Sequence, residues 1–159
     1  MVTMGKTLVR LGTVGIIFGA LAGGAQAQVV DFEGLVIPLC VLVPTAGVLA
    51  ISTGGTEIGS EETGGVAALM TVTSTGGAAT VSFTAPTLAA KPAAYAGTPT
   101  VSVKYSSTGG ANQAYTSSSS DYTSTNPLSD VITLHAKAAD SNGFVAGTYR
   151  VATTATCSQ

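Results

Sequence analysis

Apolar and polar residues alternate with a period of two along much of the chain, and no stretch keeps a helical period. Ala79, Val81 and Phe83 alternate with Thr80 and Ser82, and Val101, Val103 and Tyr105 alternate with Ser102 and Lys104. Each pattern predicts a half-buried strand. Ile132, Leu134, Ala136 and Ala138 form one face of a third strand, with Thr133, His135 and Lys137 on the other. A closing strand sets Tyr149, Val151, Thr153, Ala155 and Cys157 on one side. Two earlier runs, Val36 to Val43 and Val48 to Ser52, are apolar and β-branched and break at Pro44 and Gly47; Val66 to Thr73 predicts another strand. Glycine pairs at 54–55, 64–65, 76–77 and 109–110, and the Ser141-Asn142-Gly143 run, supply tight turns between strands. About seven strands without helices predict an all-β fold, an immunoglobulin-like antiparallel β-sandwich or a related barrel.

One segment breaks the pattern. Residues 106–126 are polar, with four serines at 117–120, and read as a long loop or a frayed hairpin. Tyr115 and Tyr122 flank the serines and are candidates for stacking a ligand there.

The amino-terminal residues follow a different logic. Lys6 and Arg10 precede an apolar run from Leu11 to Ala22, and Ala25-Gln26-Ala27 fits a small-residue cleavage site. That order predicts a signal peptide over residues 1–27 and one domain over 28–159. An uncleaved anchor is the alternative, but the run is short and glycine-rich against the roughly 20 apolar residues of a spanning helix. The expected location is outside the cytoplasm, in the periplasm or at the cell surface, and no later segment is apolar enough to span a membrane.

Export changes the reading of the two cysteines. Cys40 and Cys157 would meet an oxidising compartment, where disulfides persist, and a single bridge between them is expected. Free thiols or an intermolecular link are the alternatives. Without Lys6 and Arg10, four scattered basic residues face eight acidic ones. Phosphate backbones are bound by clustered cations, so no nucleic-acid partner is expected.

Candidate chemistry is sparse. His135 is the sole histidine and falls on the polar face of its strand, and no G-x-S-x-G run marks a nucleophile. One histidine and two bridged cysteines cannot complete a zinc site. Glu57, Glu61 and Glu62 cluster near a glycine-rich turn, where they read as solvated acids rather than a calcium loop or a glycosidase pair. No catalytic residue, metal or cofactor is expected.

The segments Leu39-Cys40-Val41, Thr45 to Ala50 and Ala146-Gly147-Thr148-Tyr149-Arg150-Val151, with the signal peptide, resemble secreted bacterial β-sandwich subunits of the spore coat protein U and archaic chaperone-usher pilin kind. In such pilins an incomplete sandwich is finished by an amino-terminal strand of the next subunit. The resemblance therefore implies self-association or association with other envelope subunits, with a periplasmic chaperone as a further partner. Residues 28–38 would be the donor strand, with Val30, Phe32 and Val36 on one side. They could equally be the domain's own first strand. The family usually bridges its first cysteine to a nearby one, whereas here the partner is Cys157. The expected function is a non-catalytic exported structural or surface-associated subunit. The alternative is a soluble periplasmic or extracellular binding module, for glycans among other ligands, using the 106–126 segment.

Overall fold

Twelve antiparallel strands and no helix make up the described part of the chain in a computed structural model, which describes residues 31–126 and 128–159. The expected signal peptide and Val30 lie outside the described residues. The body of the fold is the unit Leu35–Gln159.

The longest strand, β10 (Ser129–Ala139), organises the first sheet. Its first half pairs on one edge with β4 (Ala68–Thr75), and β1 (Leu39–Thr45) pairs with the far side of β4. Its other edge pairs with β7 (Thr100–Ser107), which pairs in turn with β8 (Asn112–Thr116). Where β4 ends, the short strand β3 (Glu57–Gly59), backed by β2 (Ala50–Ile51), takes over along β10. Ser60 fills the gap between β4 and β3. Its N–H donates to the Ala136 carbonyl at 2.9 Å, and its hydroxyl accepts from the Ala136 N–H at 3.1 Å, so the strand's backbone stays satisfied.

The second layer comes from two chain segments lying antiparallel. β5 (Thr80–Phe83) pairs with β12 (Ala155–Ser158), and β6 (Thr87–Ala90) pairs with β11 (Arg150–Ala152). Between them Thr84 carries the ladder across the break, donating its N–H to the Thr154 carbonyl at 2.9 Å and accepting from the Thr154 N–H on its hydroxyl at 3.0 Å. β9 (Ser120–Thr123) covers the other edge of β5.

The two layers face each other across one core. Met70 and Val72 of β4 and Ile132 of β10 meet Val81 and Phe83 of β5, and the Phe83 and Tyr105 rings lie 4.7 Å apart. Val81, Phe83, Tyr105 and Ile132 occupy alternate positions that the apolar pattern picks out, because the period-two face of each strand has only one layer to bury against. The fold is an all-β antiparallel sandwich carrying a Cys40–Cys157 disulfide with its Cα atoms 5.9 Å apart. No helix among the described residues is long and apolar enough to cross a membrane.

The 106–126 segment is more ordered than a loop. Residues 108–111 turn tightly, with Gly110 at φ 95°, and β8 folds back on β7 as the hairpin alternative requires. After the serines the chain crosses to the other layer as β9. The polar composition misleads because both strands are held by backbone pairing, which needs no apolar side chain.

Two buried carboxylates pin the ends of the sandwich. Asp130 accepts from Thr108 Oγ1 at 2.9 Å, the Gly109 N–H at 2.6 Å and Tyr122 OH at 2.8 Å. Asp140 accepts from Tyr95 OH and from the Asn142 N–H, and Tyr95 stacks on Phe144 with Tyr149 edge-on. Burial alone would raise the Asp130 pKa, but hydrogen bonds from Tyr122, Thr108 and Gly109 hold it below the ordinary value. The Tyr95 hydroxyl, with help from the Asn142 N–H, holds Asp140 low as well. Burial and the bond to Asp140 push Tyr95 up to about 12.

These shifts set the pH limits of stability. Depressed carboxyls contribute fully above their unfolded value, about 3.9, and lose that contribution as pH falls through the folded value. The raised tyrosine contributes fully below its unfolded value near 10 and loses it between about pH 10 and 12. Urea midpoints are expected to be flat through neutral pH, falling below about pH 4 and again above about pH 10. A midpoint unchanged between neutrality and pH 11 or so would contradict the Tyr95 assignment.

Candidate functional site

The layers do not close along one side. β1 pairs only with β4 and β12 only with β5 among the described strands, so each presents an unpaired backbone edge to the other. The disulfide ties them at one end. From Cys40 the first strand runs away from the bridge with rising number, and from Cys157 the last segment runs away with falling number. Between them lies a groove of about 990 Å³. Leu42 and Pro44 line one wall, Val151 and Ala155 the other, and Phe83 and Leu134 form part of the floor. A cavity of roughly 150 Å³ takes one benzene, so this space is on the scale of several side chains in a row.

The sequence dictates both walls. Leu39-Cys40-Val41-Leu42-Val43 is apolar at every position, which suits a strand whose two faces and free edge all await cover. Opposite, every residue from Arg150 to Ala155 lines the gap, with Val151, Ala152, Thr153 and Ala155 half-buried. An open apolar edge of this kind is what globular proteins otherwise cover or charge.

The described segment before β1 adds no strand to the sheets, although the Ile37 carbonyl accepts from Thr75 Oγ1 of β4 at 2.7 Å. Residues 31–38 form no strand, and Phe32 and Leu35 are 93% and 88% exposed, with Val36 and Ile37 also out in solvent. The alternative that residues 28–38 are the domain's own first strand therefore fails over the described part of that stretch, since the first strand begins at Leu39.

The two candidate ligand tyrosines are not brought together. Tyr122, on β9, packs its ring 5.8 Å from Tyr105 and commits its hydroxyl to Asp130, so it belongs to the core. Burial first, and that bond second, raise its pKa. Tyr115, on β8 of the other sheet, donates to Glu61 Oε2 at 2.8 Å, and the Lys104 and Lys137 ammonium groups lie 5.2 and 4.8 Å from its ring centre. Burial and the Glu61 bond push its pKa up too. The exposed acids expected at 57 and 61 are partnered: Lys137 pairs with Glu57 at 3.2 Å and Lys104 with Glu61 at 2.6 Å. The bonds from Lys104 and Tyr115 lower the Glu61 pKa.

His135 is half-buried rather than fully solvent-facing. Its Nδ1 lies 3.2 Å from Ser60 Oγ. That hydroxyl also serves the Ala136 N–H and is buried in the gap between β4 and β3 along β10, so it closes a break in the sheet. Nothing local in the sequence marks it, because the two residues are 75 positions apart. Among the described residues no cluster of three metal-ligating side chains occurs.

No protein-family model, curated protein or solved structure matches the chain.

Proposed function

We propose that this protein is an exported, non-catalytic subunit that assembles by strand addition. In this reading the 28–38 segment of one copy fills the groove between β1 and the β11–β12 edge of the next. The observation that carries it is the coexistence of an apolar groove, flanked by two unpaired strand edges, with an exposed apolar segment that over its described residues 31–38 forms no strand. An added strand would satisfy the free edges of β1 and β12 with main-chain hydrogen bonds and seat alternate side chains over Phe83 and Leu134. The resemblance to spore coat protein U and archaic pilin subunits, with their immunoglobulin-like fold, supports the same reading. So does the disulfide, a bond that persists in oxidising compartments such as the periplasm and the cell surface.

Deleting residues 28–37 is the direct test. The shortened chain is expected to keep its fold, because residues 31–37 lie outside every strand, and to remain monomeric where the full chain forms multimers. Sizing by light scattering decides between them. Multimers that persist unchanged after the deletion count against strand addition.

A further inference from the structure

The disulfide stands where the chain enters the sandwich. β1 begins at Leu39, one residue before Cys40, so the segment that precedes it joins the fold at the bridged end of the groove. At that end the two facing edges are close, with the Cys40 and Cys157 Cα atoms 5.9 Å apart. A strand inserted between two others needs roughly 9 to 10 Å between its neighbours, twice the interstrand spacing. No strand passes between Cys40 and Cys157. Two residues further in on each side, Leu42 and Ala155 already line the groove.

The chain also leaves β1 on the side away from the groove. The Ile37 carbonyl accepts from Thr75 Oγ1 at 2.7 Å, and Pro38 lies against Gly76, where a Cβ would sit 3.4 Å from the Pro38 Cα. Both contacts are with the end of β4, across β1 from the free edge that borders the groove. To fill its own groove the segment would have to give up the Thr75 bond and fold back as a hairpin on β1. The first rungs of that hairpin would fall between Cys40 and Cys157, the place the bridge denies to a strand. The longer way round fails on reach. Residues 28–38 cover about 36 Å when extended, and running outside the fold from Leu39 to the level of Thr45 uses roughly 20 Å of it before the chain turns back, so only a few residues remain for the groove.

We propose that the Cys40–Cys157 bridge excludes the chain's own amino-terminal segment from the groove and so reserves the groove for the segment of a second copy. This deepens the strand-addition reading above, on which it rests. A tethered segment competes at an effective concentration on the order of millimolar, so a chain able to complete itself would stay a monomer. The segment of a second copy is not anchored at the bridged end, and it meets the groove along the side where the edges of β1 and β12 are unpaired. The bond therefore gates assembly as well as stabilising the fold.

A peptide of residues 28–38, titrated onto chains tethered too sparsely to meet one another, tests it. The full chain and the chain lacking residues 28–37 are expected to bind the peptide with the same dissociation constant, because the chain's own segment cannot compete. With Cys40→Ser and Cys157→Ser in both, the full chain is expected to bind at least about tenfold more weakly than its shortened counterpart, since the freed segment now occupies the groove. A flexible spacer of about ten residues between Pro38 and Leu39, long enough to pass outside the intact bridge, is expected to bring the same weakening, and it decides the matter if the serine pair does not fold. A bridged full chain that binds the peptide about tenfold more weakly than the shortened one overturns the exclusion. So does equal binding by the full and shortened serine chains, or by the spacer and shortened chains; strand addition survives all three results. Peptide that binds none of the folded chains overturns strand addition and the exclusion with it.

Discussion

Replacing Cys40 and Cys157 together by serine is expected to lower the free energy of unfolding by about 4 to 5 kcal/mol, read as a fall in the urea midpoint. The two residues are 117 positions apart, and closing so long a loop removes a large share of the unfolded chain's freedom. Small domains are stable by only about 5 to 15 kcal/mol, so this one bond separates a robust fold from a marginal one. The geometry adds to the effect. β1 is held by a single ladder to β4 and packs Cys40 and Leu42 against the core, so the bridge is its covalent tie to the second layer. Unfolding with and without reductant gives the same comparison in the parent chain, and equal midpoints would show that the bond contributes nothing.

Asp130→Ala is expected to cost roughly 2 to 4 kcal/mol, because it leaves three donors in or near the core without an acceptor. Asp130 is 1% exposed, and the Gly109 N–H, the Thr108 hydroxyl and the Tyr122 hydroxyl all point at it. Gly109 shows how tight the site is: a Cβ there would collide with the Asp130 carboxylate and with Ser124 Oγ. Asp130→Asn keeps the shape and most of the acceptor capacity, and it is expected to cost less than the alanine variant. A loss below about 1 kcal/mol for Asp130→Ala would mean that water replaces the carboxylate.

The sequence made some of this legible and concealed the rest for identifiable reasons. Val81 and Phe83, Val103 and Tyr105, and Ile132 and Ala138 are buried where the alternation put them, because a strand facing one core must alternate. The closing strand is split at Thr153–Thr154, since threonine hydroxyls took over part of the ladder there. Strands β3, β8 and β9 carry too few apolar residues to leave a pattern, and β6 is too short to show one; they exist because a neighbouring backbone was available. Tyr115 and Tyr122 looked like a pair only in one dimension; the bend at 117–119 sends them to different sheets. The groove could not be read at all, because an unpaired edge depends on where every other strand goes. Arg150 is one of six Lys and Arg residues in the sequence, and only the structure shows that Lys104 and Lys137 are ion-paired while Arg150 lines the groove.

The central claim is that the open side of this sandwich is completed by another copy. Negative-stain microscopy of the chain isolated without denaturant, beside an unheated, non-reducing gel, tests it most directly. Strand addition predicts filaments, or a ladder of regular multiples that collapses to one band on heating in denaturant. Uniform single particles and one monomer band before heating would contradict it.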